Sequence, residues 1–482
     1  LHGGQSGLRE ITLEYGPGDR AFYFCEDGEK MNWHVFSFLE QYYLFDTPSN
    51  SLFNIDRPTF LRLKAESTTE DASKYRQLYE KEFSSAVNEE VEEELLILKQ
   101  EGYLAEDDPF LEKPVFNLKP DLKALCLHLA HDCQLRCVYC FAGGGAFGGD
   151  KSLMSPEVGR AAIDFLCSAS GEKEHLEADF FGGEPLLNKE LLYALVLYGE
   201  EKASSVGKKM HFTLTTNTLE LNRELLEFLR EHRMGLVLSL DGRKEVNDRM
   251  RGKGSYQRIV PRILEVIRDF PELTHYVRGT FTRYNLDFCQ DVKHFYDLGM
   301  RSISLEPVVC APELPYAIQE EDLPYIYEEY DRLALFYLET QKQGDPFRFF
   351  HFVVDLKKGP CLPKRLLGCG AGFDYLAVTP QGELYPCHQF VGEKTFALGD
   401  VFTGIKAAET RETFRQARLY QKEGCSQCWA RYYCSGGCHA HAYFANGSIL
   451  KPNYLACKLL KKRLECALAL NAMQLEEKAN TP

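Results

Sequence analysis

From Leu125 the chain alternates strand-like and helix-like stretches, and this alternation narrows the choice of fold more than any other feature. Strand candidates are Leu125–Ala130, Leu176–Phe181, His211–Thr216, Gly235–Leu240, His275–Phe281 and Ser302–Glu306, with helix-patterned segments of 10 to 15 residues between them. Strands joined through helices run parallel with right-handed crossovers. Six such units therefore predict an α/β sheet curled into an open, partial (β/α)6 barrel. Ligands in such folds gather at the carboxyl ends of the strands. At that end of the first strand stands His131-Asp132-Cys133-Gln134-Leu135-Arg136-Cys137-Val138-Tyr139-Cys140-Phe141. A four-iron cubane takes four ligands, so a CxxxCxxC loop supplies three thiolates and leaves one iron open to a small molecule. A zinc loop is the plain alternative, although structural zinc usually takes four protein ligands. Three buried thiols are another, but they give no reason for this spacing.

Composition admits a large fold and excludes several partners. At 482 residues the chain has room for about three domains. Its 44% hydrophobic and 26% charged residues are usual for a globular protein. A net charge of −15 argues against a broad nucleic-acid or anionic-membrane surface, which would need clustered Lys and Arg. No apolar run reaches the roughly 18 residues of a membrane span and no signal peptide is found, so the sequence predicts a cytoplasmic location. The 17 cysteines, odd in number and bunched in two places, point to metal or redox chemistry rather than disulfides.

Polar groups mark the next strand ends. Phe180-Phe181-Gly182-Gly183-Glu184-Pro185 closes the second strand; glycine lets a ligand approach the backbone, and Glu184 can accept from an ammonium group. Thr215-Thr216-Asn217 ends the third strand and Ser239-Leu240-Asp241-Gly242 the fourth, although each alone reads equally as a turn or helix cap. Arg251 and Arg278 are candidate carboxylate partners or solvated surface arginines. Asp179 and Glu306 lie on or near strands with no role assigned.

A second cysteine field opens after about residue 345. Cys369 is followed by Gly382 and Cys387, then by Cys425-x2-Cys428-x5-Cys434-x3-Cys438 and, after 18 residues, Cys457. These seven thiolates are too many for one cubane and one short of two. Cys361 could complete a cluster or remain free. Paired zinc sites are the alternative, since CxxC hooks suit zinc equally well. Cys25, Cys126, Cys167, Cys289, Cys310 and Cys466 have no ligand spacing and read as small buried hydrophobes or surface thiols.

The amino-terminal third reads differently. Residues 1–30, rich in Gly and charge, are expected to be an upstream extension, with Met31 the true start of the protein. Codons for Gly28-Glu29-Lys30 could spell a ribosome-binding sequence before it. Val35–Leu39, Gln41–Phe45 and Leu52–Ile55 read as strands around a turn at 46–51, and residues 88–104 as an amphipathic helix leading into a short wing. A small hairpin-plus-helices domain over 31–113 is predicted.

Together these motifs resemble the signature of the radical S-adenosylmethionine (SAM) superfamily, in which SAM chelates the open iron of a CxxxCxxC cluster. The resemblance implies that Cys133, Cys137 and Cys140 hold that cluster. It implies that Gly182, Gly183 and Glu184 receive the SAM amino group, with Thr216, Asn217, Ser239 and Arg251 at its ribose and carboxylate. The second field resembles, cysteine for cysteine, the SPASM extension of peptide-modifying members. By that resemblance Cys425, Cys428, Cys434 and Cys457 hold a distal auxiliary cluster, and Cys369, Cys387 and Cys438 a proximal one, with or without Cys361.

Over residues 31 to about 466 the chain is similar to the maturases of SCIFF peptides (six cysteines in forty-five residues). The similarity is carried by His128–Cys133, Gly148–Ser155, Asp179–Pro185, Gly368–Gly372 and Leu384–Phe390. It implies a winged-helix-like domain at 31–113 that binds a leader peptide as an added strand, a radical SAM core at 114–345 and a SPASM domain at 346–470. A polar, frayed tail at 471–482 is expected. The implied cofactors are SAM and three [4Fe–4S] clusters. The implied partners are a cysteine-rich ribosomal precursor with its leader, and an electron donor such as flavodoxin or ferredoxin. In the implied reaction a 5′-deoxyadenosyl radical takes hydrogen from a carbon of an acceptor residue, threonine in that family. A substrate cysteine sulfur then couples there, giving an intramolecular thioether of the sactionine or ranthipeptide type. Cysteine-to-Asp/Glu linkage and formylglycine formation are the neighbouring chemistries, and a non-catalytic metal scaffold is the reading from a different class.

Overall fold

The computed structural model describes residues 32–67, 71–104, 108, 110, 111, 121–357, 359 and 362–480. Met31, Cys25 and Cys361, and residues 112–120 at the expected first boundary, lie outside the described residues. Strands β1 (Trp33–Phe38), β2 (Gln41–Asp46) and β3 (Ser51–Ile55) form an antiparallel sheet in that order. Phe38 pairs with Gln41 across a two-residue turn, Leu39-Glu40, in which both residues have positive φ, the twist that a tight hairpin requires. Helix α1 (Arg57–Glu66) starts at Asp56, whose carboxylate accepts from the Thr59 N–H at 2.9 Å, with Pro58 in the first turn. Helices α2 (Ala72–Glu82) and α3 (Ser85–Gln100) complete a unit with its own core of Val35, Leu44, Phe60, Leu61, Val91 and Leu95. The helix expected over 88–104 is α3, shifted toward the amino end. Leu104 lies past it with φ of +56°, and the expected wing falls largely on residues outside the described set.

All six predicted parallel strands are present: β4 (Ala124–Ala130), β5 (His175–Gly182), β6 (Lys209–Thr216), β7 (Gly235–Ser239), β8 (His275–Phe281) and β9 (Ser302–Pro307). They pair in sequential order. Right-handed crossovers then place every connecting helix on one face, against Leu176, Ala178, Phe180, Leu214, Leu236 and Leu238. The opposite, inner face is left to Asp179, Thr213, Ser239, Arg278, Ser304 and Glu306.

The sheet is wider than expected. β10 (Arg348–Phe349) adds a seventh parallel strand beyond β9, so the alternation does not end at 345; two residues are too few to show a periodicity. On the other side β11 (Tyr375–Val378) pairs parallel with β4, followed by antiparallel β12 (Glu383–Tyr385), β13 (Gly399–Asp400) and β14 (Gly404–Ile405). The carboxyl-terminal segment thus continues the central sheet and removes β4 from its edge. The helix Tyr454–Asn480 extends into the tail expected at 471–482, where Ala, Gln, Glu and Lys are strong helix formers; residues 481 and 482 lie outside the described residues.

Candidate functional site

The Cys133–Cys140 loop leaves the carboxyl end of β4 in tight turns, with Cys140 N–H donating to the Cys137 carbonyl at 3.1 Å. It is laced to the end of β5: Gly183 N–H donates to Ala130 O and Glu184 N–H to Asp132 O, each at 2.8 Å. Gly183 lies directly under the loop. A Cβ there would stand 2.7 Å from the Asp132 carbonyl carbon and 2.8 Å from Gly145 Cα, so only glycine fits. Gly182, with φ of +118°, needs the freedom of glycine as well. The thiols of Cys133, Cys137 and Cys140 are half-buried and feel one another's charge. Burial pushes the Cys137 thiol up to about 12, and that of Cys133 also upward. Cys133 Sγ accepts from Leu135 N–H at 3.4 Å and from Asn217 Nδ2 at 3.5 Å.

Glu184 is a brace rather than an open acceptor. Its Oε1 takes the Leu186 N–H at 3.1 Å and the Thr216 hydroxyl at 2.8 Å, and its Oε2 takes the Asn217 N–H at 2.8 Å. Only 1% of it is exposed, and burial raises its carboxyl to about 7. Thr216 and Asn217 are therefore tied to β5 and to the cysteine loop, not displayed singly on a rim. Ser239 ends β7 on the inner face, half-buried. Arg251 is no solvated surface arginine. It pairs with buried Asp241 at 2.9 Å, beside Tyr139, whose hydroxyl also donates to Asp241. The Arg251 Nε–H is buried and has no hydrogen-bond partner among the described residues, a donor open to a ligand at the cysteine loop.

The second cysteine field separates into two groups. Cys387 feels Cys438 and Cys369, whereas Cys425 feels Cys434 and Cys428. Burial pushes the Cys425 thiol to about 12 and that of Cys434 to about 11. Cys457 lies in the first turn of the helix Tyr454–Asn480. Among the described residues, no three His, Cys, Asp or Glu converge tightly enough for a single metal ion. Thiolates are the donors that either a zinc site or a four-iron cubane takes.

The two fields face each other across the inner face. The His388 ring, next to Cys387, lies 5.6 Å from Phe141, next to Cys140, and 5.1 Å from Phe181. Its Nδ1 pairs with the Tyr375 hydroxyl at 3.1 Å. Between them, Asp179 accepts from the Thr213 hydroxyl. Burial would raise the Glu306 carboxyl, but the hydrogen bond from His351 and the charges of Arg463 and Arg278 hold it at about 2. Arg278 itself is exposed on this face. Tyr139, Phe141 and His388 carry no independent sequence signal beyond their place beside motif residues.

The amino-terminal unit docks on the segment between Cys428 and Cys434. His34 stacks on Trp429 with ring centroids 3.9 Å apart, and its Nε2 donates to the Glu465 carboxylate at 2.7 Å. The Thr47 hydroxyl donates to Trp429 O at 2.9 Å. The buried Arg431 guanidinium reaches Asn32 Oδ1 at 2.7 Å, Asp108 at 3.0 Å and the Cys428 carbonyl at 3.1 Å. The Tyr433 hydroxyl donates to Asn50 at 2.8 Å.

Comparison with known proteins agrees with this arrangement. The model of the Radical SAM superfamily matches residues 127–280, and that of the SPASM iron-sulfur cluster-binding domain matches residues 369–429. The chain carries a radical SAM α/β domain followed by a SPASM domain. It is 28% identical to the mycofactocin maturase MftC of Mycolicibacterium smegmatis over 343 residues, 66% of this chain and 79% of that protein. It is 25% identical over 388 residues to an uncharacterized protein of Archaeoglobus fulgidus, covering 77% of this chain and 86% of the other. The structure of native anSMEcpe with bound AdoMet shares the fold, at a TM-score of 0.60 and 20% identity over 74% of this chain and 100% of that one. Among the described residues no helix is long and apolar enough to cross a membrane.

Proposed function

We propose that the protein is a radical SAM enzyme that modifies a ribosomally made, cysteine-rich precursor peptide, closing thioether links from cysteine sulfur to an acceptor carbon, of threonine by resemblance to the SCIFF maturases. The observation that carries the reading is the meeting of the two cysteine fields across one polar face, with Phe141 and His388 in contact. A peptide between them reaches both. In this reading Cys133, Cys137 and Cys140 hold the SAM-binding cluster, and Gly182, Gly183 and Glu184 shape its amino side. Thr216, Asn217, Ser239 and Arg251 line the remaining contacts. Cys425, Cys428, Cys434 and Cys457 hold the distal auxiliary cluster, and Cys369, Cys387 and Cys438 the proximal one. The domains run 31–113, 114–345 and 346–470, the first binding the leader, in a cytoplasmic enzyme served by a small electron-transfer protein.

Bound at the first loop, cluster and SAM supply a hydrogen-abstracting 5′-deoxyadenosyl radical. The chain's own residues arrange the rest. Gly183 lets the cysteine loop pack down on β5, while Glu184 locks β5 to β6 beneath it. The inner face presents Ser239, Thr280 and Arg278 to the peptide, and the aromatic wall of Phe141, Phe181 and His388 limits access of water. The similarity to a mycofactocin maturase supports a peptide substrate. The docked amino-terminal unit, a three-stranded antiparallel sheet with β1 and β3 as its outer strands, supports leader capture by strand addition.

One observation favours a second acceptor. Arg278 makes no ion pair among the described residues, while Glu306 is engaged by His351 and Arg463 and Asp179 by Thr213. An exposed guanidinium outside any ion pair among the described residues would grip an Asp or Glu acceptor bidentately. The test is incubation of reconstituted enzyme with SAM, reductant and a precursor encoded beside it. The reading predicts loss of two hydrogens per link; deoxyadenosine release with no loss of mass from the peptide would defeat it. Replacing each Thr, Asp or Glu of the precursor in turn separates the two acceptors.

A further inference from the structure

Lys422 is a buried lysine in the middle of the second cysteine field. It is 2% exposed. Its Nζ donates to the Gly436 carbonyl at 2.7 Å and to the Gly437 carbonyl at 3.4 Å. Those glycines lie in the turn Cys434-Ser435-Gly436-Gly437-Cys438, which joins a cysteine of the distal group to one of the proximal group. The aliphatic stem crosses the same turn: a Cβ on Gly436 would stand 2.8 Å from Lys422 Cδ. A side chain at 436 would therefore push the lysine stem aside, over and above the strain set by a φ of +81°.

No carboxylate among the described residues forms an ion pair with Lys422. A buried ammonium with only carbonyl partners is costly unless anions stand near it. Burial lowers the pKa of the Lys422 ammonium, and the groups that oppose this are the thiols of Cys425 and Cys434 from the distal group and of Cys369 and Cys438 from the proximal one. Thiolate-held cubanes are anionic, and their potentials respond to net charge, hydrogen bonding and exposure.

We propose that Lys422 is the shared counter-cation of both auxiliary clusters, a positioning residue that clamps the Cys434–Cys438 turn between them and raises both reduction potentials. The proposal rests on the cluster reading above and assigns to one side chain a property of two centres at once. Methionine of similar length would leave the turn packed but withdraw the charge; arginine would keep the charge.

The experiment uses full-length protein in which Cys133, Cys137 and Cys140 are changed to Ala, so that only auxiliary clusters contribute. Iron content and redox titration followed by EPR are measured for this parent and for Lys422→Met and Lys422→Arg in the same background. The expected result is a shift of both auxiliary couples to more negative potential in K422M at parental iron content, with K422R close to the parent. Loss of iron from K422M but not from K422R would also support a counter-cation. Unchanged couples in K422M, movement of one couple only, or equal iron loss in both variants would overturn it. A parent that binds no iron would sink the cluster reading first, and the role of Lys422 with it.

Discussion

Gly183 shows how narrowly the first cysteine loop is seated. Its missing Cβ is the space into which Asp132 and Gly145 pack, so Gly183→Ala is expected to lift the loop. Iron content should fall by about a third, from roughly twelve atoms per chain for three cubanes, while auxiliary EPR signals persist. Glu184 gives a pH signature. Burial raises its folded pKa from 4.5 to about 7, so the native state holds a proton that the unfolded chain has released. Its contribution to stability is full below about pH 4.5, declines as pH rises and is lost above about pH 7. Urea midpoints at pH 5, 6, 7 and 8 should show this decline in the wild type. Glu184→Gln should lack it and cost about 1–3 kcal/mol near pH 8, because its amide would face the Asn217 N–H. At this scale the ligand spacing was legible in the sequence and the partners were not. CxxxCxxC is written within eight residues, whereas the Glu184–Asn217 bond depends on the register of β5 with β6. The pairing of Arg251 with Asp241 joins two separate motifs, so no local spacing reveals it.

At the scale of elements, the segment Trp429–Tyr433 serves two structures. Its ends are Cys428 and Cys434; its middle is the socket for β1 and β2. Removing the Arg431 side chain leaves Asp108, 7% exposed at its side chain, as an uncompensated buried charge, a defect worth about 3–5 kcal/mol. Arg431→Ala should therefore raise hydrogen exchange in residues 33–46 while iron content stays at the wild-type level. Loss of iron without loss of protection would mean that the segment serves the cysteines alone. The sequence showed the three amino-terminal strands through alternation, and through amphipathic spacing a helix expected over 88–104 that lies at Ser85–Gln100. It did not show where this unit docks, since His34 and Glu465 are 431 positions apart. Strands β10, β13 and β14 escaped because each has two residues.

For the whole molecule, one sheet of eleven strands carries both cysteine fields, the first after β4 and the second grown from β11, its neighbour. The strand–helix alternation made the six central strands legible, each to within two residues at either end. The joining of the SPASM segment to the same sheet was not, because short antiparallel strands rich in turn residues show no period. This continuity explains why the two fields hold a fixed relation: β4 and β11 are hydrogen-bonded along four residue pairs. Proline replacing Leu376, at the centre of that ladder, is expected to break it and to cost about 3 kcal/mol or more. Thermal unfolding of the iron-loaded variant, with a midpoint several degrees below the wild type, would check this; an unchanged midpoint would argue that the ladder contributes little.

The proposed three-thiol cluster, with one ligand position left to SAM, is best interrogated by EPR of anaerobically purified, dithionite-reduced protein before and after SAM is added. A spectrum that changes with SAM, through a component absent from Cys140→Ala while auxiliary signals remain, is the result expected. A spectrum indifferent to SAM, or a SAM response that survives in C140A, would contradict the assignment.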